Sequence, residues 1–336
     1  MPGTQAYDRC MRIAQCATHQ NPARCIQEHE PYRVFVGGEP SVEERNMNDY
    51  DIGLVAGMDN QYSNAAFVNT LLPQFRDEHV GTDDIALEDR PIDILFRSSE
   101  CSGGARWRDE LAAMIRKEAE DKNLTFVASG SCTAGTKNEY EDQYRTPGHY
   151  DNWQSCPECD QSKLILAFEK TTTGNHYMSE KPFHPDLHGA LTAYVGTGSD
   201  EDMVRNGLNP DRIIRMGALE SPEAYAKRVV STLTDSRAMK DMGAAPRQQP
   251  IVDTAAARQL SCGDPRIQYL RGLRRPIQVG LIDGRFPDGG ETYLRDALCL
   301  ENSVFNVDHE NKLEQPDIVL DAGAIGTTDK YPQQFG

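Results

Sequence analysis

Short apolar runs rich in Val, Ile and Leu recur at 33–37, 51–56, 92–96, 124–128, 164–168, 192–195, 277–282 and 317–320, separated by polar and turn-forming residues. Runs of this length and composition predict β-strands. One of them, Leu164, Ile165, Leu166, Ala167 and Phe168, has no polar alternation at all. That marks a strand covered on both faces, as in a parallel sheet. Between the runs lie helical patterns. Over 105–121, Trp107, Leu111, Met114 and Ile115 fall at i, i+4, i+7 and i+8, with charge on the opposite face. Over 222–233, Ser221 reads as an N-cap and Pro222 as the first helical residue. Strands alternating with helices predict an α/β fold of parallel sheets joined by right-handed crossovers. Residues 136–161, dense in Tyr, Glu, Asp, Gly and Pro, read as an interdomain connection or a long loop. Residues 243–275 read as a linker carrying one short helix.

Composition narrows the partners. At 336 residues the chain can bury a sizeable core, in one large or two ordinary domains. A net charge of −17 argues against nucleic acid or an anionic membrane, because neutralising phosphates needs clustered Lys and Arg. An anionic small ligand must therefore meet a local basic patch. No stretch approaches the ~18–20 consecutive apolar residues of a membrane span, and the opening MPGTQAYDRC has no signal-peptide apolar core. Nine cysteines in a chain this long are not the framework of a small secreted domain. Cys156 and Cys159 form a single Cys-x-x-Cys, which reads as a loop thiol pair or a local disulfide in preference to zinc, since no second pair follows. His149, His176, His184 and His188 show no closed ligand spacing and read as surface or loop residues. Asn123-Leu124-Thr125 is one glycosylation sequon and decides nothing about compartment.

The richest stretch is 164–181, LILAFEKTTTGNHYMSEK. Glu169 sits at the carboxyl end of the apolar strand, the edge where open α/β sheets bind ligands, and a carboxylate there can accept from ribose hydroxyls or a guanine edge. Lys181 supplies a compact cation for a diphosphate. Together these read as a nucleotide-sugar site.

At this point the chain resembles the α1,3/α1,4-fucosyltransferases of glycosyltransferase family 10. Their donor-site signature is Phe-Glu-Asn-Ser, a short loop, Tyr-Val-Thr-Glu-Lys, then a helix ending in Gly-x-x-Pro-Val-x-x-Gly. This chain has Phe168-Glu169-Lys170-Thr171, then Tyr177-Met178-Ser179-Glu180-Lys181, then Gly189 through Gly196. Lys170 stands where the family has Asn, Ser179 where it has Thr, and Thr192 where it has Pro. Asn209-Pro210 and Ser221-Pro222-Glu223 follow in the family's order. Upstream, Tyr32 to Pro40 with Asp49 to Leu54, and then Ile92 to Cys101, resemble two further family elements.

The resemblance implies a GT-B fold, two Rossmann-like domains with parallel sheets facing a cleft, and an inverting transfer of fucose from GDP-fucose. The acceptor would be a hydroxyl of an N-acetylglucosamine-type glycan, in α1,3-like linkage. It implies Glu39 as general base, and Arg106, Glu169, Tyr177, Glu180 and Lys181 as donor-binding residues. Arg108 is the alternative to Arg106, because the preceding loop is shorter than the family spacing. No cofactor and no metal ligand is implied; GDP-fucose is the donor substrate, and a divalent metal would at most stimulate. The implied partners are GDP-fucose and an acceptor oligosaccharide or glycoprotein. Eukaryotic relatives sit in the Golgi behind a membrane anchor, so the expected home is the Golgi lumen if eukaryotic and the cytoplasm if bacterial.

Residues 275–336 resemble the start of such a catalytic region yet lie after everything else. Read as 275–336 followed by 1–245, the family order is restored, as in a piece of a tandem array, a misjudged gene boundary or a circular permutation. The expected domains are 1–150 on the acceptor side, 151–245 on the donor side, a linker over 246–274, and the displaced first strand unit over 275–336. Each assignment has a plainer rival. Taken alone, Glu39 caps a turn or the helix whose capping box is Ser41 and Glu44. Arg106 and Arg108 would be ordinary exposed residues, Glu180 and Lys181 a helix-start charge pair, and Asp200-Glu201-Asp202 a solvated loop. The other functions left open are an inactive nucleotide- or carbohydrate-binding member of the fold, a retaining transferase of other donor specificity, and a fragment that does not fold alone.

Overall fold

The structure is a computed structural model that describes residues 31–37, 50–55, 65–67, 85–98, 105–130, 132, 134–135, 156–169, 178–247, 254–283, 290–306 and 316–321. Along the chain come β1 (Tyr32–Gly37), β2 (Ile52–Val55), β3 (Ala65–Phe67), β4 (Ile92–Ser98), α1 (Arg106–Glu120) and β5 (Phe126–Gly130). Then follow α2 (Pro157–Asp160), β6 (Ser162–Phe168), α3 (Phe183–Leu187), β7 (Leu191–Val195), α4 (Asp200–Arg205) and β8 (Ile213–Arg215). The helices α5 (Pro222–Thr234), α6 (Ser236–Ala244), α7 (Ala255–Gly263) and α8 (Pro265–Arg271) lead to β9 (Ile277–Asp283), α9 (Gly290–Ala297), β10 (Ser303–Asn306) and β11 (Ile318–Asp321). The fold is α/β, and among the described residues there are two sheets whose strand pairs are all parallel.

The chain divides into two units, Met1–Arg76 with Val252–Gly336, and Asp77–Ile251. These boundaries correct those drawn from the sequence. Of the stretch expected on the acceptor side, β4, α1 and β5 belong to the second unit, because β4 and β5 share a sheet with β6.

The first unit holds a six-stranded sheet in the order β10-β9-β11-β1-β2-β3. The carboxy-terminal segment therefore folds back on the beginning of the same chain. Tyr32 pairs with Ile318 and Val34 with Leu320 across the β1–β11 ladder. Numbered as though 275–336 came first, the order becomes 2-1-3-4-5-6, the doubly wound pattern of open α/β sheets. The stretch expected to be a linker carries two helices, not one, and α8 is bound into this unit. Arg266 pairs with Asp51 at 2.9 Å and lies over the Tyr32 ring at 5.1 Å, while Tyr32 donates to Asp264 at 3.3 Å. Cys262 and Cys299 form a disulfide that ties α7 to the end of α9.

The second unit holds the order β5-β4-β6-β7-β8, which is again 2-1-3-4-5. Its central strand β6 is buried from both sides, as the unbroken apolar run predicts. Leu164, Leu166 and Phe168 join a core with Leu111, Ala112 and Ile115 of α1 and Tyr225, Val229 and Val230 of α5. Ile165 turns to the other face, against Cys156 and Cys159 of the α2 segment. Those two cysteines are disulfide-bonded, so the Cys-x-x-Cys is a local staple. On α1, Trp107 and Met114 pack against the core beside Leu111 and Ile115, on the face the periodicity predicts. Ser221 caps α5, accepting from the Ala224 N–H at 3.2 Å, with Pro222 in the first turn. The Asp200-Glu201-Asp202 triplet is not a solvated loop but the first turn of α4. Asp202 is buried and closes a capping box with Ser199, accepting from the Ser199 N–H at 2.8 Å. His184 and His188, expected on the surface, are buried, and His188 Nδ1 lies 2.8 Å from Asp160.

Among the described residues, no helix is long and apolar enough to cross a membrane.

Candidate functional site

The order 2-1-3-4-5 reverses direction between β4 and β6, and crevices at such switch points, beyond the carboxyl ends of the strands, are where open α/β sheets hold ligands. Glu169 follows β6 directly at that point. Its N–H continues the ladder onto the Val195 carbonyl at 2.8 Å, so its backbone is fixed by the sheet. The side chain is fully buried. One carboxylate oxygen, Oε1, accepts from the Ser179 N–H at 2.8 Å and from the Tyr194 hydroxyl at 3.4 Å. The other, Oε2, accepts from the Ser179 hydroxyl at 2.6 Å. Glycine is required close by: a Cβ on Gly196 would stand 2.3 Å from the Tyr194 hydroxyl and 2.6 Å from Glu169 Cγ.

Glu169, expected to bind the donor, turns both carboxylate oxygens to protein partners. A carboxylate whose two oxygens are taken up inside the protein does not reach out to a ribose or a base. Instead it holds down the segment Ser179-Glu180-Lys181, which leads into α3.

Glu180 and Lys181 are each one-quarter exposed and lie side by side, with Lys181 Nζ 3.2 Å from Glu180 Oε1. Lys181 Nζ also donates to the Ser179 hydroxyl oxygen at 3.1 Å and stands 3.9 Å from Glu169 Oε2. The electrostatics follow from this packing. Burial pushes the Glu169 carboxyl up, against the pull of the Lys181 ammonium and the Ser179 hydrogen bonds. Burial also pushes Glu180 up, but Lys181 and the hydrogen bonds around it outweigh that and hold Glu180 below its ordinary value. His184 is held well below the usual imidazole range by burial first, then by the charges of Lys181, His188 and Arg97. It is a neutral imidazole beside the lysine. Tyr194 is pushed well above the usual phenol range by burial and by Glu169.

The two candidate arginines separate cleanly. Arg106 has a side chain 76% exposed and pairs with Glu110 one helical turn on, at 2.9 Å. Arg108 is 3% exposed and donates Nε–H to the Glu169 carbonyl at 3.0 Å. The structure thus gathers Arg108, Glu169, Glu180 and Lys181 at one strand end and leaves Arg106 outside. Arg106, expected to bind the donor, therefore faces solvent, and its alternative Arg108 packs under the strand end. A signal for it was available, since Arg108 lies three, four and seven residues before Leu111, Ala112 and Ile115, on the buried stripe of α1. Ser179, Tyr194 and Gly196 had no such signal. Glu39, Tyr177 and Lys170 lie outside the described residues.

A short run of buried charge lies behind the site. Arg97, near the carboxyl end of β4, pairs with the buried Glu158 of α2 at 3.2 Å, and Ser129 donates to the same carboxylate oxygen at 3.2 Å. Among the described residues, no group of three or more His, Cys, Asp and Glu is placed to hold a metal ion.

The fold and site define an α/β protein of two parallel-sheet units with a cationic pair of side chains at a switch point of the second. No protein-family model matches the chain, and neither does any curated protein. Among solved structures it is similar to crystal structures of an α1,3-fucosyltransferase. The structure titled only with that name aligns at 16% identity over 67% of this chain and 67% of that one, TM-score 0.47. The form with GDP aligns at 17% identity over 64% and 66%, TM-score 0.43, and the form with GDP-fucose at 17% over 64% and 66%, TM-score 0.41. The chain thus spans about two thirds of the length of these proteins.

Proposed function

We propose that the chain is an inverting glycosyltransferase that moves fucose from GDP-fucose to a hydroxyl of an acceptor glycan, of the N-acetylglucosamine type with α1,3-like linkage. The observation that carries the reading is the placement of Lys181 and Arg108 beside the carboxyl end of β6, at the switch point, in the segment whose sequence resembles the family's donor site. Lys181, with part of its side chain exposed, offers a cation that suits a diphosphate, while the buried Arg108 braces the backbone of the strand end behind it. As GDP departs, charge builds on its β-phosphate, and an ammonium that gains interaction in that step lowers the barrier. Glu180, beside the lysine, would accept from the ribose hydroxyls, and Tyr177 would flank the nucleotide or the fucose. Glu39, two residues past the end of β1 in sequence, would take the proton of the attacking hydroxyl.

The experiment is fucose transfer from GDP-fucose to N-acetyllactosamine by this chain, read by mass spectrometry. Product from the parent chain, reduced at least about 100-fold in Lys181→Ala, supports the reading, since loss of a transition-state donor is of that order. A chain that binds GDP but yields no product is instead the binding member of the fold.

A further inference from the structure

Strand-end carboxylates at a switch point ordinarily face a ligand, yet Glu169 is fully buried and faces Ser179. The hydrogen bonds run in one direction. Lys181 Nζ donates to Ser179 Oγ at 3.1 Å, and Ser179 Oγ–H donates to Glu169 Oε2 at 2.6 Å. The Lys181 backbone N–H points to the same Ser179 oxygen at 3.3 Å, and Tyr194 braces the carboxylate from the other side at 3.4 Å. A hydroxyl that donates its hydrogen bond to a carboxylate turns its lone pairs outward and becomes a better acceptor, so the chain polarises towards the ammonium.

We infer that Glu169 and Ser179 are positioning residues, the buried carboxylate acting through the Ser179 hydroxyl to fix the Lys181 ammonium where the donor's diphosphate must lie. The inference rests on the nucleotide-sugar reading of this site for the identity of the ligand, but not for the geometry. A lysine side chain loses much rotational freedom when its head group is pinned, and pinning it during folding removes that cost from binding. It also explains why the carboxylate is buried: it orients a cation without competing with the phosphates for the surface. In Glu169→Gln one acceptor becomes an NH₂ donor. The Ser179 hydroxyl must then accept from it, and its lone pairs leave Lys181.

The test uses the full chain with Ser179→Ala, Ser179→Thr, Glu169→Gln and Lys181→Ala, each checked for folding by its melting curve. Acetylation of Lys181 by acetic anhydride, quantified by mass spectrometry, reads the clamp without any nucleotide. The expected result is labelling several-fold faster in Ser179→Ala and Glu169→Gln, with Ser179→Thr, which keeps the hydroxyl, returning to the parent rate. Equal rates in all four folded proteins that carry Lys181 would overturn the clamp. Should Ser179→Ala fail to fold, Glu169→Gln, which keeps the shape of the side chain, decides alone. Calorimetry with GDP reads the consequence: Ser179→Ala and Lys181→Ala are each expected to weaken binding by about tenfold, the double variant no further, and Ser179→Thr to recover it. Losses that add in the double variant would overturn action through the lysine. A parent chain that binds no GDP refutes the nucleotide reading, and the labelling still judges the clamp.

Discussion

At the scale of single residues, the site is organised around close approach. Gly196 is the clearest case, since any side chain there would meet the Tyr194 hydroxyl and Glu169 Cγ well inside van der Waals distance. Gly196→Ala is expected to destabilise the second unit by about 1–3 kcal/mol through overpacking, measurable as a lowered urea midpoint. A midpoint equal to the parent's would show that Tyr194 can move aside. Arg108 teaches a second point. Its neighbour Arg106 lies only two residues earlier, but position along a helix decides which face a side chain serves, and Arg106 faces solvent. Arg108 continues the buried stripe, so its guanidinium reaches the strand end.

At the scale of elements, end signals in the sequence translate directly into structure where they are local. Ser221 and Pro222 predict the start of α5, and Ser221 accepts from Ala224 N–H there. Ser221→Ala should cost about 1 kcal/mol, read from denaturant unfolding, because it leaves a first-turn N–H without its side-chain partner. Elements without strong local signals were read less well. β3, β8 and β10 are three or four residues long, too short for periodicity to declare them, and they exist because a neighbouring strand offers a ladder. The Asp200 triplet shows the opposite error. Its charge reads as solvated loop, yet Ser199 and Asp202 satisfy each other's backbone N–H groups and start a helix.

At the scale of the whole molecule, both units carry buried titratable groups that bound its pH range. Tyr32 in the first unit, and Tyr194 and Tyr225 in the second, have phenols pushed above the ordinary value of 10.0, by burial in each case. The unfolded chain therefore loses these protons first. Stability should fall as pH rises through about 10 and above, and Tyr225→Phe should flatten that fall. His184 acts on the acid side. Its folded value lies below 6.5, so the unfolded chain takes up the proton first, and stability falls as pH drops below about 6.5. Glu169 adds a slope of the other sign. Its raised value favours folding in acid, and that contribution is lost as pH rises above the ordinary carboxyl range. Urea unfolding across the pH range checks all three signs.

The sequence by itself determined what depends on near neighbours: the α/β class, the doubly covered strand β6, and the helices α1 and α5 with their buried faces. These follow from period, run length and capping chemistry, which need no knowledge of distant residues. Only the tertiary structure decided which carboxylate is buried, which arginine turns inward, and which residues share a unit. Ser179 donates to Glu169 although ten positions separate them, and β1 meets β11 because parallel strands pair across any separation along the chain. Contacts of that kind are set by the packing of whole sheets, so no window of sequence contains them.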